Sequence, residues 1–530
     1  MRGLLNDALR WLIGTALSGL GLVLESIHRL KIRTFSRHQE RLRKRYGINA
    51  DTPILSYGAE LERHIATAAA RTSGKVTFAL TSGSTAQPKR ILYTRRRLRS
   101  VGLTFLSVFA RSYWALPIRR KSLYLFSALD KDDSLTSMLL DENKVPNYLA
   151  TLQAPYRVQG HAALQALAAQ YGTTALRLWI LAIANPGVLY STNPSTLSTF
   201  LDELATDWKP SARLVADFCK YPQNFAAPVH MLARRLAARG SAARLARIAA
   251  STAPLSLQFI APAVEAYVCW TGGYVKPFLQ RLAAHLPAPR YRLIPMYSMA
   301  TETIETVSHF DAGTTAFLPL ASRVLYEFIE QGKDDQPENL LRPQELQQGK
   351  AYALVVSDPY GLRRYQTSDV FLCRGLVAGL PDLHFLHRRD FTYSFTGEKL
   401  TSEQTGLVFQ QLRQEFSWLE PYQHLTCVPS QPADEAIPHY KLVLVGGPGA
   451  PAAKPGDAVA RCCDELLGDV NREYRDKRAS RRLEEVRFVH MPLADFVERV
   501  GGARHRRTWE AQFKFLPLYR HTWESFGTNR

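Results

Sequence analysis

A run of small hydroxylated residues, TSGSTAQPK at 81–89, follows directly on an alternating strand candidate from Lys75 to Leu80. This junction constrains the fold more than any other part of the chain. A strand that ends in hydroxyls, a glycine and a lysine forms a loop suited to phosphate oxygens. Backbone N–H groups and hydroxyls donate, and the lysine supplies charge. Gly83 lets the backbone approach closely. The G-x-x-x-x-G-K-[ST] pattern is absent, so this is not a Walker loop. The bland reading is a Ser/Thr-rich turn, and the motifs downstream weigh against it.

Composition sets the outer bounds. The chain has 530 residues, with 67 Lys plus Arg against 47 Asp plus Glu, giving 67 − 47 = +20. At 46% apolar and 22% charged it is globular rather than disordered or fibrous. At roughly 150 residues per domain, three or four domains or subdomains are expected. Six cysteines without a CxxC pair suggest buried apolar residues in a reducing compartment, and a cytoplasmic location is expected. The positive excess calls for an anionic partner. It is clustered at Arg29–Arg45, at Arg95, Arg96, Arg97 and Arg99, and along an Ala-rich helical stretch carrying Arg234, Arg235, Arg239, Arg244 and Arg247. That last stretch reads as a solvated helix with Arg stems on apolar surface. No nucleic-acid module is visible, so no nucleic-acid partner is expected.

The N-terminus carries an uncharged run from Trp11 to Leu24. It is shorter than the ~20 residues a spanning helix needs, so no transmembrane segment is expected. Asp7 lies where a signal peptide would be basic, and the basic cluster follows the apolar run instead. Two readings stand: a peripheral membrane contact through an apolar helix and its polybasic continuation, or a helix packed on the body of the protein.

Along the chain, residues 95–290 are mostly helical by periodicity, with strand-like segments such as SLYLFSA at 122–128. From 291 strands dominate, and GLVAGLPDLHFLHRRD reads as a turn-rich hinge. Beyond it come strand KLVLVGG, a loop, a helix from about Asp457 to Tyr474, and a strand near EEVRFVHM. The pattern is α/β with a small α+β C-terminal domain.

Several motifs stand in order. TSGSTAQPK is similar to the phosphate loop [ST]SG[ST]TGxPK of the adenylate-forming superfamily, with Ala86 at a glycine position. YSMATE at 297–302 resembles that superfamily's aromatic–small–Thr–Glu motif, with Ser298 at the aromatic place and Tyr297 one residue early. YQTSDV at 365–370 resembles YRTGDV, with Ser368 for Gly, and HRRD at 387–390 resembles the GRxD hinge. TGEKL at 396–400 follows, and AQFKFLP at 511–517 is close to the QYKxPR string of the auxin-responsive-promoter family of acyl acid amido synthetases. The resemblance spans roughly residues 40–520 and includes the lead-in TPILSYGAELERHI.

The resemblance implies roles. Thr81, Ser82, Gly83, Ser84, Thr85 and Lys89 would hold the β- and γ-phosphates of ATP. Tyr297 and Ser298 would flank the nucleotide. Thr301 would contact the α-phosphate and Glu302 would bind magnesium. Asp369 would accept hydrogen bonds from the ribose hydroxyls, Arg388 would sit at the hinge, and Lys399 would be a further cation over the nucleotide. Lys514 would be the mobile catalytic lysine. The implied fold is a large N-terminal adenylate-forming domain of mixed sheets and helices with a smaller C-terminal domain. The expected divisions are 1–47, 48–385 and 386–530. The implied reaction is adenylation of a carboxylic acid, with pyrophosphate release, then transfer to an amine or amino acid. Two alternatives stand: a thiol acceptor (CoA or a carrier protein), or a non-catalytic anion- or membrane-binding scaffold.

Overall fold

The computed structural model describes residues 2–74, 76–80, 89–116, 118–119, 122–126, 135, 138–139, 150–151, 161–272, 275–296, 298–311, 313–389, 392–396, 398–420, 422, 424–432, 437–447, 456–501 and 515–526. The chain divides into two compact units, Met1–Leu386 and His387–Arg530.

The first unit begins with a helix over Arg2–Arg33, much longer than the uncharged run alone suggested, and a second over Phe35–Tyr46. The first helix lies against the helix Arg95–Ala115, and backbones approach closely at Gly21. A Cβ there would stand 2.1 Å from the Ala110 carbonyl oxygen. Further along, Glu25 pairs with buried Arg111 at 3.6 Å, and His28 meets His309 ring to ring at 3.2 Å. Burial first, and then Arg111, drive the His28 pKa down to about 2, so the imidazole pair is neutral.

The helical middle surrounds a parallel sheet. Its order is Ala150–Thr151, Leu123–Leu125, Val188–Tyr190, Ala266–Cys269, Arg292–Pro295. Such a sheet is covered on both faces, which explains the long apolar helical stretches. The helix Thr173–Ala184 is buried from Ala175 to Ala184, with Trp179 fully enclosed. Arg244, expected to be solvated, is buried. Its guanidinium donates to the carbonyls of Ala182, Ile183 and Arg239 and closes the end of that helix.

A second five-stranded sheet follows, ordered Leu340–Leu341, Leu325–Glu330, Ala351–Ser357, Tyr365–Val377, Leu380–Arg388. The segment expected to be a turn-rich hinge is instead the end of a hairpin, turning at Ala378 and Gly379, both with positive φ. The turn residues were legible; the strands flanking them were hidden by their mixed polarity.

In the second unit, His424–Ser430 pairs antiparallel with His439–Gly446, which pairs parallel with Arg487–Pro492. Thr401 and Gln404 form a reciprocal capping box for the helix Ser402–Glu415. The single helix expected over Asp457–Tyr474 is two, Asp457–Val470 and Arg472–Ala479. Asn471 breaks it, because its side chain caps the second helix at the Tyr474 N–H.

Gly21→Ala should destabilise the protein by about 1–3 kcal/mol through overpacking, measured by chemical denaturation. Gly19→Ala is the control, because a Cβ there meets nothing within 4 Å. It should be neutral or stabilise by up to about 1 kcal/mol.

Candidate functional site

The strands Val76–Leu80 and Arg90–Thr94 form an antiparallel pair, and the motif loop connects them. Thr81, Ser82, Gly83, Ser84 and Thr85 lie outside the described residues, as do Tyr297 and Lys514. Lys89, Ser298, Thr301, Glu302, Asp369, Arg388 and Lys399 lie within them.

Lys89 closes the motif loop and meets Glu302. Its ammonium donates to the Tyr365 hydroxyl at 2.9 Å and stands 3.6 Å from the Glu302 carboxylate. The rings of Tyr57 and Tyr365 lie 5.9 and 5.6 Å from it. Tyr57 comes from the lead-in TPILSYG, which is bonded to the strand Tyr365–Val377 through Leu55 and Gln366 at 2.9 Å. Three sequence motifs thus converge on one cation–carboxylate pair.

The turn carrying Thr301 and Glu302 is held from behind. Met299 and Ile304 bridge across it, and the Thr301 carbonyl accepts from the Tyr93 hydroxyl at 2.9 Å. The Glu302 carbonyl accepts from Arg97. The same guanidinium donates to the Leu92 carbonyl at 2.7 Å and pairs with Asp358 at 2.9 Å, between the rings of Tyr93 and Tyr360. The sequence reading counted Arg97 among surface positive charge, but it is 5% exposed and structural. Its spacing gave the clue: it follows the N-cap Thr94 by three residues, on the first turn of a helix that opens straight from the strand.

Asp369 sits within a strand, not after one. Opposite Ala353–Val355 the register shifts, and Thr367, Ser368 and Asp369 together face Leu354. The Thr367 hydroxyl spans the bulge, donating to the Leu354 carbonyl at 3.1 Å and accepting from the Asp369 N–H at 3.2 Å. Ser368 takes φ +69°, the left-handed region that favours glycine. The family motif has glycine at this place, and the bulge is the physical reason.

Sequence reasoning missed Glu305. Its carboxyl is buried, accepts from the Ser298 hydroxyl through Oε2, and lies against Asp369. Burial first, and then the charge of Asp369, raise its pKa well above the ordinary carboxylate range. The Ser298 hydroxyl is engaged by this arrangement.

In the second unit, the TGEKL turn is organised by its acid. Glu398 accepts from the N–H groups of Phe395 at 2.8 Å and Thr396 at 2.9 Å and from the Tyr440 hydroxyl at 2.6 Å. Lys399 is exposed on left-handed backbone at φ +46°. Arg388 ends a strand and is half-buried. Immediately after the position of Lys514, Phe515–Tyr519 is bound to the three-stranded sheet. Cys427 donates to Pro517 at 2.8 Å and accepts from Tyr519 at 3.0 Å. The segment following the expected lysine is therefore anchored in this unit.

Among the described residues no group of three or more His, Cys, Asp or Glu could hold a metal. A single carboxylate beside a lysine fits magnesium that is carried in by phosphates, since that ion keeps most of its ligands as water and phosphate oxygens.

The fold is shared with solved acyl acid amido synthetase structures. GH3.15 acyl acid amido synthetase superposes with a TM-score of 0.70 at 14% identity, covering 94% of each chain. The structure described as AtGH3.15 acyl acid amido synthetase in complex with 2,4-DB gives 0.68 at 14% identity, covering 88% of this chain and 85% of that one. In sequence, residues 317–388, a stretch that includes Asp369, match the GH3 family central domain. Indole-3-acetic acid-amido synthetase GH3.8 of Oryza sativa subsp. indica is 26% identical over 136 residues, 25% of this chain and 22% of that protein. The probable indole-3-acetic acid-amido synthetase GH3.9 of Oryza sativa subsp. japonica is 21% identical over 177 residues, 32% of this chain and 40% of its own length. The matched stretches thus span well under half of these curated relatives.

Replacing Ser368 by Gly should relieve left-handed strain and stabilise the fold by up to about 1 kcal/mol, read from the denaturation midpoint. Glu305 makes a pH prediction. Its folded pKa lies above its unfolded one, so the unfolded state releases the proton first and stability falls as pH rises from about 4.5 towards the folded value. Glu305→Gln removes that dependence, and its stability curve from pH 4.5 to 8 should be flatter than the wild type's.

Proposed function

We propose that this protein activates a carboxylic acid with ATP, releasing pyrophosphate, and then passes the acyl group from the acyl adenylate to the amine of an amino acid. The observation that carries the reading is the convergence of Lys89, Glu302 and Tyr365 at the foot of the motif loop, with Asp369 held beside Glu305. Adenylation requires a carboxylate to attack the α-phosphorus of a tetra-anionic nucleotide. Two anions meet, so cations must be preorganised where charge gathers. Lys89 is such a cation. Its carboxylate partner keeps it in place before phosphate arrives, and the phosphates then compete for the same ammonium. Glu302, relieved of Lys89, is the group that would hold magnesium on the phosphates; the ion would neutralise the leaving pyrophosphate. Asp369, held beside Glu305, offers a carboxylate to vicinal hydroxyls, which suits a ribose. Lys514 would bring a second cation to the α-phosphate from the anchored C-terminal segment.

Transfer follows by attack of the amine nitrogen on the acyl carbonyl. The C–N bond forms, the bond from carbonyl carbon to the AMP phosphate oxygen breaks, AMP leaves with the electron pair, and the amine proton passes to solvent. A reducing, cytoplasmic compartment suits this chain, because all six cysteines are free.

The test is pyrophosphate release from ATP and magnesium with pooled carboxylic acids, followed by product analysis with amino acids or CoA. The wild type should release pyrophosphate only when acid is present. Glu302→Gln and Lys514→Ala should each lose on the order of 100-fold or more in rate. An amide product supports the reading. A thioester with CoA and no amide would move it to the thiol ligases. Tight ATP binding without release would leave a non-catalytic scaffold.

A further inference from the structure

The first helix is polar on the wrong side. Its buried positions run Arg10, Gly14, Leu17, Gly21, Glu25, His28 and Ile32, spaced by four, three, four, four, three and four residues. That is the seam by which a helix packs on its neighbour, yet it carries two ionised groups and a histidine. Each is satisfied by the body of the first unit. Arg10 donates to the carbonyls of Ala184 at 3.2 Å and Leu236 at 2.7 Å, while Glu25 and His28 meet Arg111 and His309. Asn6 adds a bond to the Ala237 carbonyl at 2.8 Å, and Asp7 accepts from the Arg239 N–H at 3.1 Å.

From Leu4 to Ile27 every exposed position is uncharged. Leu5 is 70% exposed and Trp11 65%, and Leu12, Leu22 and Val23 are about as open. The neighbouring helix extends the same surface with Leu103, Leu106 and Trp114, and Trp114 lies beside Gly21. The strip is about 35 Å long at 1.5 Å per residue. A helix facing water carries its charges outward, and apolar patches of this extent mark interaction surfaces. By length and composition this helix could cross a membrane. Its seam argues for another placement, because extraction from the body would strip Arg10, Glu25 and His28 of their partners inside hydrocarbon.

The occupant is indicated by charge. Where the apolar strip ends, exposed Arg29, Arg33, Arg37, Arg41, Lys44 and Arg45 begin, continuing along the second helix. A second copy of the chain would bring the same cations to the face, whereas an anionic lipid surface complements them. We propose that the outer face of the helix Arg2–Arg33, with Leu103, Leu106 and Trp114, lies in the surface of a bilayer containing anionic lipid, while the inner seam stays on the protein. The apolar side chains enter the acyl boundary, and the basic strip contacts headgroup phosphates. The inference is independent of the reaction proposed above.

Co-sedimentation of the full chain with phosphatidylcholine vesicles, and with phosphatidylcholine–phosphatidylglycerol vesicles, tests it. Wild type should partition at least tenfold more strongly into the anionic vesicles. The double variant Leu12→Glu/Val23→Glu should lose at least tenfold on them, with its melting temperature and pyrophosphate release unchanged. Arg37→Glu/Arg41→Glu should lose the preference for anionic lipid. Trp11 gives a readout that needs no charge introduced: brominated acyl chains should quench wild-type fluorescence more than that of Trp11→Phe. Absence of binding to both vesicle types overturns the proposal, as does binding that Leu12→Glu/Val23→Glu leaves intact. So does a wild-type dimer in light scattering that this variant dissociates without any vesicle binding, which would assign the face to a second copy.

Discussion

The buried guanidinium of Arg97 is the constraint on which the rest of the first unit's site depends. It joins three regions that are remote in sequence: the strand leaving the motif loop with the helix Arg95–Ala115 that continues it, the turn of Thr301 and Glu302, and the turn at Asp358. A buried charge is costly unless paired and hydrogen-bonded. Here each bond is made to a segment that must be in place for the site to exist. Asp358 is itself tied to its turn by the N–H groups of Tyr360 and Leu362. Burial pushes its pKa up, and Arg97 opposes that shift. The network therefore registers Glu302 against Lys89 through directional bonds rather than through apolar contact alone.

A second network does the same for Asp369. The bulge at Thr367, Ser368 and Asp369 places Asp369 at a break in the ladder, and the buried Glu305 lies against it. Strain at Ser368 and an enclosed acid at Glu305 each lower stability, as groups arranged for function commonly do. The second unit follows the same plan, with Glu398 fixing the turn from which Lys399 projects.

The motif order was legible because each motif is local. Strand-to-loop junctions and a Thr–Glu turn are short-range patterns. Arg97, Glu305 and Asp358 were not. Alone in the sequence, an arginine in a basic run and an acid in TETIET look like surface charge, since isolated ionised side chains are rarely buried. Arg244 misled for the same reason: an Ala/Arg helix has solvated arginines unless a neighbouring helix end needs closing.

The sequence by itself determined which residue types stand in which order: a hydroxyl-rich loop ending in Lys89, the pair Thr301–Glu302, a carboxylate at Asp369 and Lys514, an order that resembles the adenylate-forming ligases. Tertiary structure alone decided which charges are inside and which apolar side chains are outside. The first helix shows why. Its periodicity identifies two faces, but only the packed neighbour, with Ala110 at Gly21 and Arg111 at Glu25, decides which face is buried. A buried polar group is tolerated where a partner awaits it, and partners from distant segments are fixed only when the chain has folded.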